Sequence, residues 1–159
     1  MDDNKFRRDL ILSITPYQSE MLASLEKDAV YEFPEGIPAF EDARRFTLLS
    51  TDEIKPFLYL KSLDLEGLGF VCIDPFMIYS GYLARISAAD MIKLELRDAS
   101  EAIVLSFVTV QQNPQENTAN LLAPIIINLR NRKGRQVILD KYPVRYNIWD
   151  NLDRLEPGT

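Results

Sequence analysis

The sequence predicts an all-β, mainly antiparallel fold, a small closed or nearly closed β-barrel carrying one or two short helices. Three observations predict it. Roughly seven or eight short runs rich in branched and aromatic residues are separated by Gly, Pro, Asn and Asp at fairly regular spacing. No strand-helix-strand alternation of the kind that builds parallel sheets occurs, and no internal repeat. In "NLLAPIIIN" (120–128), Ile125, Ile126 and Ile127 put branched side chains on both faces, so a strand there must be covered on both.

The elements follow in chain order. "LILSI" (10–14) could be a strand that Pro16 stops, and in "YQSEMLASLEK" (17–27) Tyr17, Met21, Leu22 and Leu25 fall at helical spacing. "AVYEF" (29–33) alternates, with Tyr31 and Phe33 opposite Val30 and Glu32, before two prolines and a glycine force a loop. "RRFTLLS" (44–50) resumes a strand. Ser50 or Thr51 could cap a short helix, with Asp52 and Glu53 in its first turn, that Pro56 ends quickly. "FLYLKSL" (57–63) and "LGFVCI" (68–73) make a hairpin around "DLEG". "SAADMIKLEL" (87–96) begins near a capping box, with Ser87 three residues before Asp90, and predicts a second short helix. "EAIVLSFVTVQ" (101–111) is the longest strand candidate, and "RQVIL" (135–139) and "VRYNI" (144–148) complete the set. Within "NLLAPIIIN", Pro124 cannot donate to a ladder, so pairing is expected from Ile125 to Leu129 with "NLLA" entering as bulged chain. Asn120 and Asn128 would bond backbone groups where that ladder stops.

Composition narrows the function classes. A chain of 159 residues, 47% apolar and 26% charged, has enough apolar matter for one domain with a single core. No run approaches the ~18 to 20 apolar residues of a membrane span, and "MDDNKFRRDLILSI" has acids at positions 2 and 3 and too short an apolar run for a signal peptide, so a cytoplasmic protein with no membrane partner is expected. With no histidine, serine triads, Cys-His dyads and His-ligated metals are excluded. The single cysteine, Cys72 in "FVCID", reads as a small buried hydrophobe. A formal charge of -6 opposes nonspecific attraction to nucleic acid and favours a basic protein partner.

Three features remain as candidates for chemistry. The carboxylates, for instance Glu35 with Glu41 or Asp74 beside Pro75, could divide acid and base roles if they converged in a cleft; scattered surface acids are the plainer reading. "RNRKGR" (130–135) carries four bases in six residues, but Gly134 suggests a hairpin tip and no aromatic residues are interleaved for base stacking, so direct nucleic-acid binding is not expected. "FPEGIPAFE" (33–41) is either a loop whose Phe33 and Phe40 turn inward to plug a barrel end, or a rigid apolar lip with Glu35 and Glu41 at its rim that holds a peptide. A small-ligand-binding barrel or a carboxylate-dependent hydrolase is the alternative to a binding module.

In order along the chain, "FPEGIPAFE", "PFLYLKSLDLEGLGFVCIDP", "SFVTV", "NTANLLAPIIINLRNRKGRQVIL" and "YPVR" resemble the FliW family of bacterial flagellar assembly factors. The family usually has glycine where this chain has Ala39, and residues 1–29 depart from its usual first strand and turn. The resemblance implies a FliW-like β-barrel domain over 30–148, a divergent segment before it and a tail at 149–159. It implies a non-enzymatic protein without catalytic residues, metal or cofactor. Its partners would be flagellin, through the C-terminal region, and the translational regulator CsrA, which it antagonises. That would couple flagellin synthesis to filament assembly. The residues expected to contact a partner are Phe33, Glu35, Phe40, Glu41, Asn120, Pro124 and Asn128.

Overall fold

The computed structural model describes residues 18–150; the strand expected at 10–14 lies outside the described residues. A short helix, α1 (Ser19–Ala23), is followed by β1 (Tyr31–Glu32), β2 (Arg45–Leu49), β3 (Phe57–Ser62) and β4 (Gly69–Ile73). Two more helices, α2 (Pro75–Ile78) and α3 (Ala88–Leu94), lead to β5 (Ala102–Thr109), β6 (Thr118–Ala119), β7 (Ile125–Asn128), β8 (Lys133–Gln136) and β9 (Tyr146–Asn147). The strands lie in the order β4-β3-β2-β1-β8-β7-β5, and β4 pairs back to β5, so these seven close into a ring. Every pairing is antiparallel except the short parallel contact of β1 with β8, at Glu32 and Lys133. The expected barrel is the observed architecture.

Local chemistry sets the elements. Ser87 caps α3, accepting from the Asp90 N–H at 3.1 Å, and Asp74 caps α2, accepting from the Phe76 N–H at 2.9 Å. The expected alternation holds in β1: Tyr31 and Phe33 are buried while Val30 and Glu32 are exposed. In the β3–β4 hairpin, Leu60 faces Phe70 and Leu58 faces Cys72.

Two expectations are corrected. Residues 52–56 form turns and no helix; the residue before a proline is pushed out of the helical region, which leaves Thr51–Lys55 too short for a second turn. The last ring strand is Lys133–Gln136, not 135–139, so Gly134 sits inside the strand and not at the hairpin tip. Its reason is packing: a Cβ at Gly134 would lie 2.5 Å from Cζ of Phe33. The tip is instead turned at Arg132, whose φ is 61°. Residues 137 and 139 then bond the bulge, Val137 N–H to Pro124 O at 2.9 Å and Leu139 N–H to Leu122 O at 2.8 Å.

Two cores share one sheet. Phe33, Phe46, Leu60, Ile103, Leu105, Ile125 and Ile127 fill the ring's interior. Ile126, Val104, Leu94, Met91, Ile78 and Ile148 form a second core on the other face, under α2, α3 and the segment around β9. The three isoleucines of β7 therefore alternate inside, outside, inside, and all are fully buried. Each contributes about 1.5–3 kcal/mol by leaving water, which is why this run tolerates no polar residue between its brackets.

The β4–β5 pairing that closes the ring is short. Only Cys72 with Phe107 and Ile73 with Ser106 are paired there. Continued in register, the ladder would set Pro75 against Val104, and a proline has no N–H to give. The buried side chain of Gln18 takes that rung: its Nε2 donates to Val104 O at 2.6 Å and its Oε1 accepts from Val104 N–H at 2.8 Å.

Candidate protein-interaction site

The loop from Phe33 to Asp42 is rigid because its backbone is over-determined. Gly36 takes φ 69°, and a Cβ there would lie 2.6 Å from Cα of Glu41, so only glycine lets the loop close on itself. The Phe40 N–H donates to Ile37 O at 2.7 Å, and Glu41 Oε1 accepts from the Ala39 N–H at 3.2 Å. Ala39 itself stands at φ 75°, the left-handed region a glycine would fill without strain.

This rigidity divides the four loop residues singled out in the sequence. Phe33 is fully buried, edge-on to Phe46 with ring centroids 5.2 Å apart, and plugs the ring over Gly134. Phe40 is 39% exposed and rests edge-on against Phe70 at 5.5 Å, half plug and half surface. Glu35 is held by Lys93 at 3.2 Å and by Arg135. Glu41 is exposed and forms no ion pair among the described residues. So the loop brings Phe40 and Glu41 to solvent and commits Phe33 and Glu35 to the frame.

The remaining three candidates organise the β7 bulge. Against the single residue Ser106 of β5, the chain from β6 to β7 inserts residues 121–124. Asn120 Oδ1 holds that insertion by accepting from the N–H groups of Leu122 at 3.1 Å and Ala123 at 3.0 Å. Pro124 is buried within it and its carbonyl accepts from Val137. Asn128, fully buried, accepts from the Arg130 N–H at 2.9 Å and donates to Leu94 O at 2.9 Å, tying the strand end to the end of α3. The asparagines thus bracket the apolar run by satisfying backbone groups that its ladder leaves over.

The basic hairpin tip is neutralised in place. Arg130 pairs with Glu101 at 3.3 Å, Arg132 with Glu26, Lys133 with Glu95 at 2.5 Å, and Arg135 with Glu35 and, at 2.6 Å, with Asp90. The ammonium of Lys133 holds the Glu95 carboxyl below its ordinary range. These bases are spent on the protein's own acids. The sequence pattern showed the bases but not that five separate acids converge on them.

The other chemical candidates are likewise occupied. Burial pushes the Cys72 thiol far up, so it stays protonated and apolar. Asp74 is buried at the cap of α2, and burial raises its carboxyl to about 6 against the pull of the Phe76 N–H. A shallow depression of about 190 Å³ beside α1 is lined by Met21, Leu25, Tyr31 and Leu129 and contains a single carboxylate, Glu26, already paired with Arg132. No group of three or more acidic or thiol side chains able to hold a metal occurs among the described residues.

A second surface feature escaped the sequence reading. The β3–β4 turn is tied to the chain just after the loop: Leu63 N–H donates to Arg45 O, and Asp64 Oδ2 accepts from the N–H groups of both Arg44 and Arg45, each at 2.8 Å. These bonds hold the Asp64 carboxyl down to about 2. The signal was present in "SLD", since Ser62 Oγ caps the turn by accepting from Leu65 N–H at 2.9 Å, but nothing local announces which loop a turn will meet.

Comparisons with known proteins agree with one another. The family model of the FliW protein matches residues 17–148. The flagellar assembly factor FliW of Caldicellulosiruptor saccharolyticus is 33% identical over 148 residues, covering 91% of this chain and 97% of the relative. That of Thermosipho africanus is 35% identical over 127 residues, covering 78% and 88%. A crystal structure of the flagellar assembly factor FliW superposes with a TM-score of 0.69 at 31% identity, covering 77% of this chain and 86% of the other. No described helix is long and apolar enough to cross a membrane. With its closed ring, its bracketed isoleucine strand and a match running from Tyr17 to Ile148, the chain belongs to the FliW family of flagellar assembly factors.

Proposed function

We propose that this chain acts in the cytoplasm as a non-enzymatic binding protein that holds newly made flagellin and restrains CsrA from repressing flagellin synthesis, so that accumulating flagellin releases the restraint. The observation that carries the reading is the rigid loop that leaves Phe40 and Glu41 exposed over a ring whose interior is filled with side chains. A filled barrel offers its outer skin, not a chamber, and a preorganised loop loses little entropy when a partner docks. Charge supports the same reading: a net charge of -6 matches a basic RNA-binding regulator, because complementary fields speed encounter and suppress wrong partners. Of the seven candidate residues, Phe40 and Glu41 face the partner, and Phe33, Glu35, Asn120, Pro124 and Asn128 hold the surface in shape.

The test is size-exclusion chromatography of the full chain mixed, at micromolar concentration, with cognate flagellin monomer or with CsrA. Co-elution with both is expected. Elution of all three proteins at their separate volumes overturns the assignment.

A further inference from the structure

We infer that the loop end of the barrel, formed by residues 38–42 and the β3–β4 turn at 63–66, is the docking surface for a folded basic protein. This rests on the two-partner reading above and assigns one partner to one surface.

These two segments carry three exposed apolar side chains, Phe40 on one and Leu63 and Leu65 on the other, at 39%, 42% and 40% exposure. Both segments that carry them are fixed by backbone bonds. Ala43 N–H donates to Phe40 O at 3.0 Å, Leu63 N–H to Arg45 O at 2.8 Å, and Asp64 clamps the amides of Arg44 and Arg45. Hydrophobic side chains on rigid, exposed loops keep contact area ready at low ordering cost, as interface anchors do.

Charge chooses the partner. Glu41, Asp42 and Glu66 are exposed here and form no ion pair among the described residues, while Asp64 is matched by Arg45, and the nearby bases outside an ion pair are Arg44, which donates to Glu41 O, and Lys61. At the other concentration of charge, the 130–135 tip, the bases are already paired with Glu26, Glu35, Asp90, Glu95 and Glu101. The negative excess is therefore uncompensated at the loop end and compensated at the tip. An apolar centre with an acidic rim fits a surface of opposite pattern, apolar within a rim of Lys and Arg. Nucleic-acid-binding proteins carry such basic faces.

The experiment measures the affinity of CsrA and of flagellin monomer for four proteins: the wild-type chain, the charge reversal Asp42→Lys/Glu66→Lys, the apolar replacement Leu63→Ser/Leu65→Ser, and a distant control, Glu116→Lys. Thermal melting confirms that each is folded; the charge reversal touches only exposed side chains and serves if the serine variant melts early. The expected result is a loss of CsrA affinity of at least about tenfold for either loop-end variant, with the control unchanged. Wild-type affinity for CsrA should also fall as salt is raised from about 0.05 to 0.5 M, and the charge reversal should flatten that slope. If wild type binds CsrA and the folded loop-end variants bind it equally well, the surface assignment is overturned and the two-partner reading stands. If the variants lose flagellin instead, the assignment is reversed. If wild type binds neither protein, both fall together.

Discussion

Asp74 closes β4 and caps α2 at once, and it performs both tasks from inside the protein. Burial raises its carboxyl to about 6, so the fold prefers the protonated acid more than the unfolded chain does. The stability this preference contributes is fully present below the ordinary carboxylate range, near pH 4, and is lost as pH rises through about 6. Asparagine caps helices as well as aspartate and carries no charge to desolvate. Asp74→Asn should therefore match wild type near pH 4 and exceed it by about 1–3 kcal/mol at pH 7, measured by urea denaturation across that range. A variant less stable at pH 7 would mean that the ionised cap is worth more than its burial costs. Asp64 carries the opposite sign: held down to about 2 by two backbone amides, it contributes stability above the ordinary range that is lost as pH falls toward 2.

At the scale of elements, strands and caps were legible in the sequence wherever the cause is local. Alternation placed Tyr31 and Phe33 inside, Ser87 marked the start of α3, and Pro124 marked the start of pairing at Ile125. The misreadings share a cause. Gly134 looks like a turn residue from its neighbours, but it answers to Phe33, about a hundred positions away, and Ser50 or Thr51 lacked the length before Pro56 to start a helix. Within the candidate site, alternation places Phe33 inside but not over Gly134, and nothing local ties Glu35 to Arg135 or Asn128 to α3, because those partners come from distant segments. Gln18 is the extreme case: its side chain stands in for a rung of the β4–β5 ladder, and no pattern in "YQSEM" signals it. Gln18→Ala would leave the buried N–H and C=O of Val104 without that partner. The expected cost is about 2–4 kcal/mol, read as a lowered denaturation midpoint with faster amide exchange at Val104. Exchange at Val104 no faster than in wild type would mean that another group takes up the rung.

For the whole molecule, the decisive feature is that two cores lean on the same strands. β5 and β7 present Ile103, Leu105, Ile125 and Ile127 to the ring interior and Val104 and Ile126 to the outer layer, so neither layer can loosen without exposing the back of the other. The barrel is then one cooperative unit with a covered flank, which keeps the loop end fixed. Trp149, the sole tryptophan, reports on the outer layer: its ring lies 6.2 Å from Phe57 and its Nε1–H donates to Pro114 O. Far-ultraviolet circular dichroism reports on the sheet. Cutting Ile126 to Ala removes packing from the outer core, and cutting Ile127 to Ala removes it from the inner one, each at about 2–5 kcal/mol. If the layers are coupled as the alternation requires, both substitutions lower a single transition, and tryptophan fluorescence and circular dichroism give the same midpoint in each variant. Separate layers would behave differently: Ile127→Ala would shift the dichroism midpoint and leave the Trp149 midpoint where it was. Fully buried side chains pointing alternately to either face of one strand leave the first outcome as the expected one.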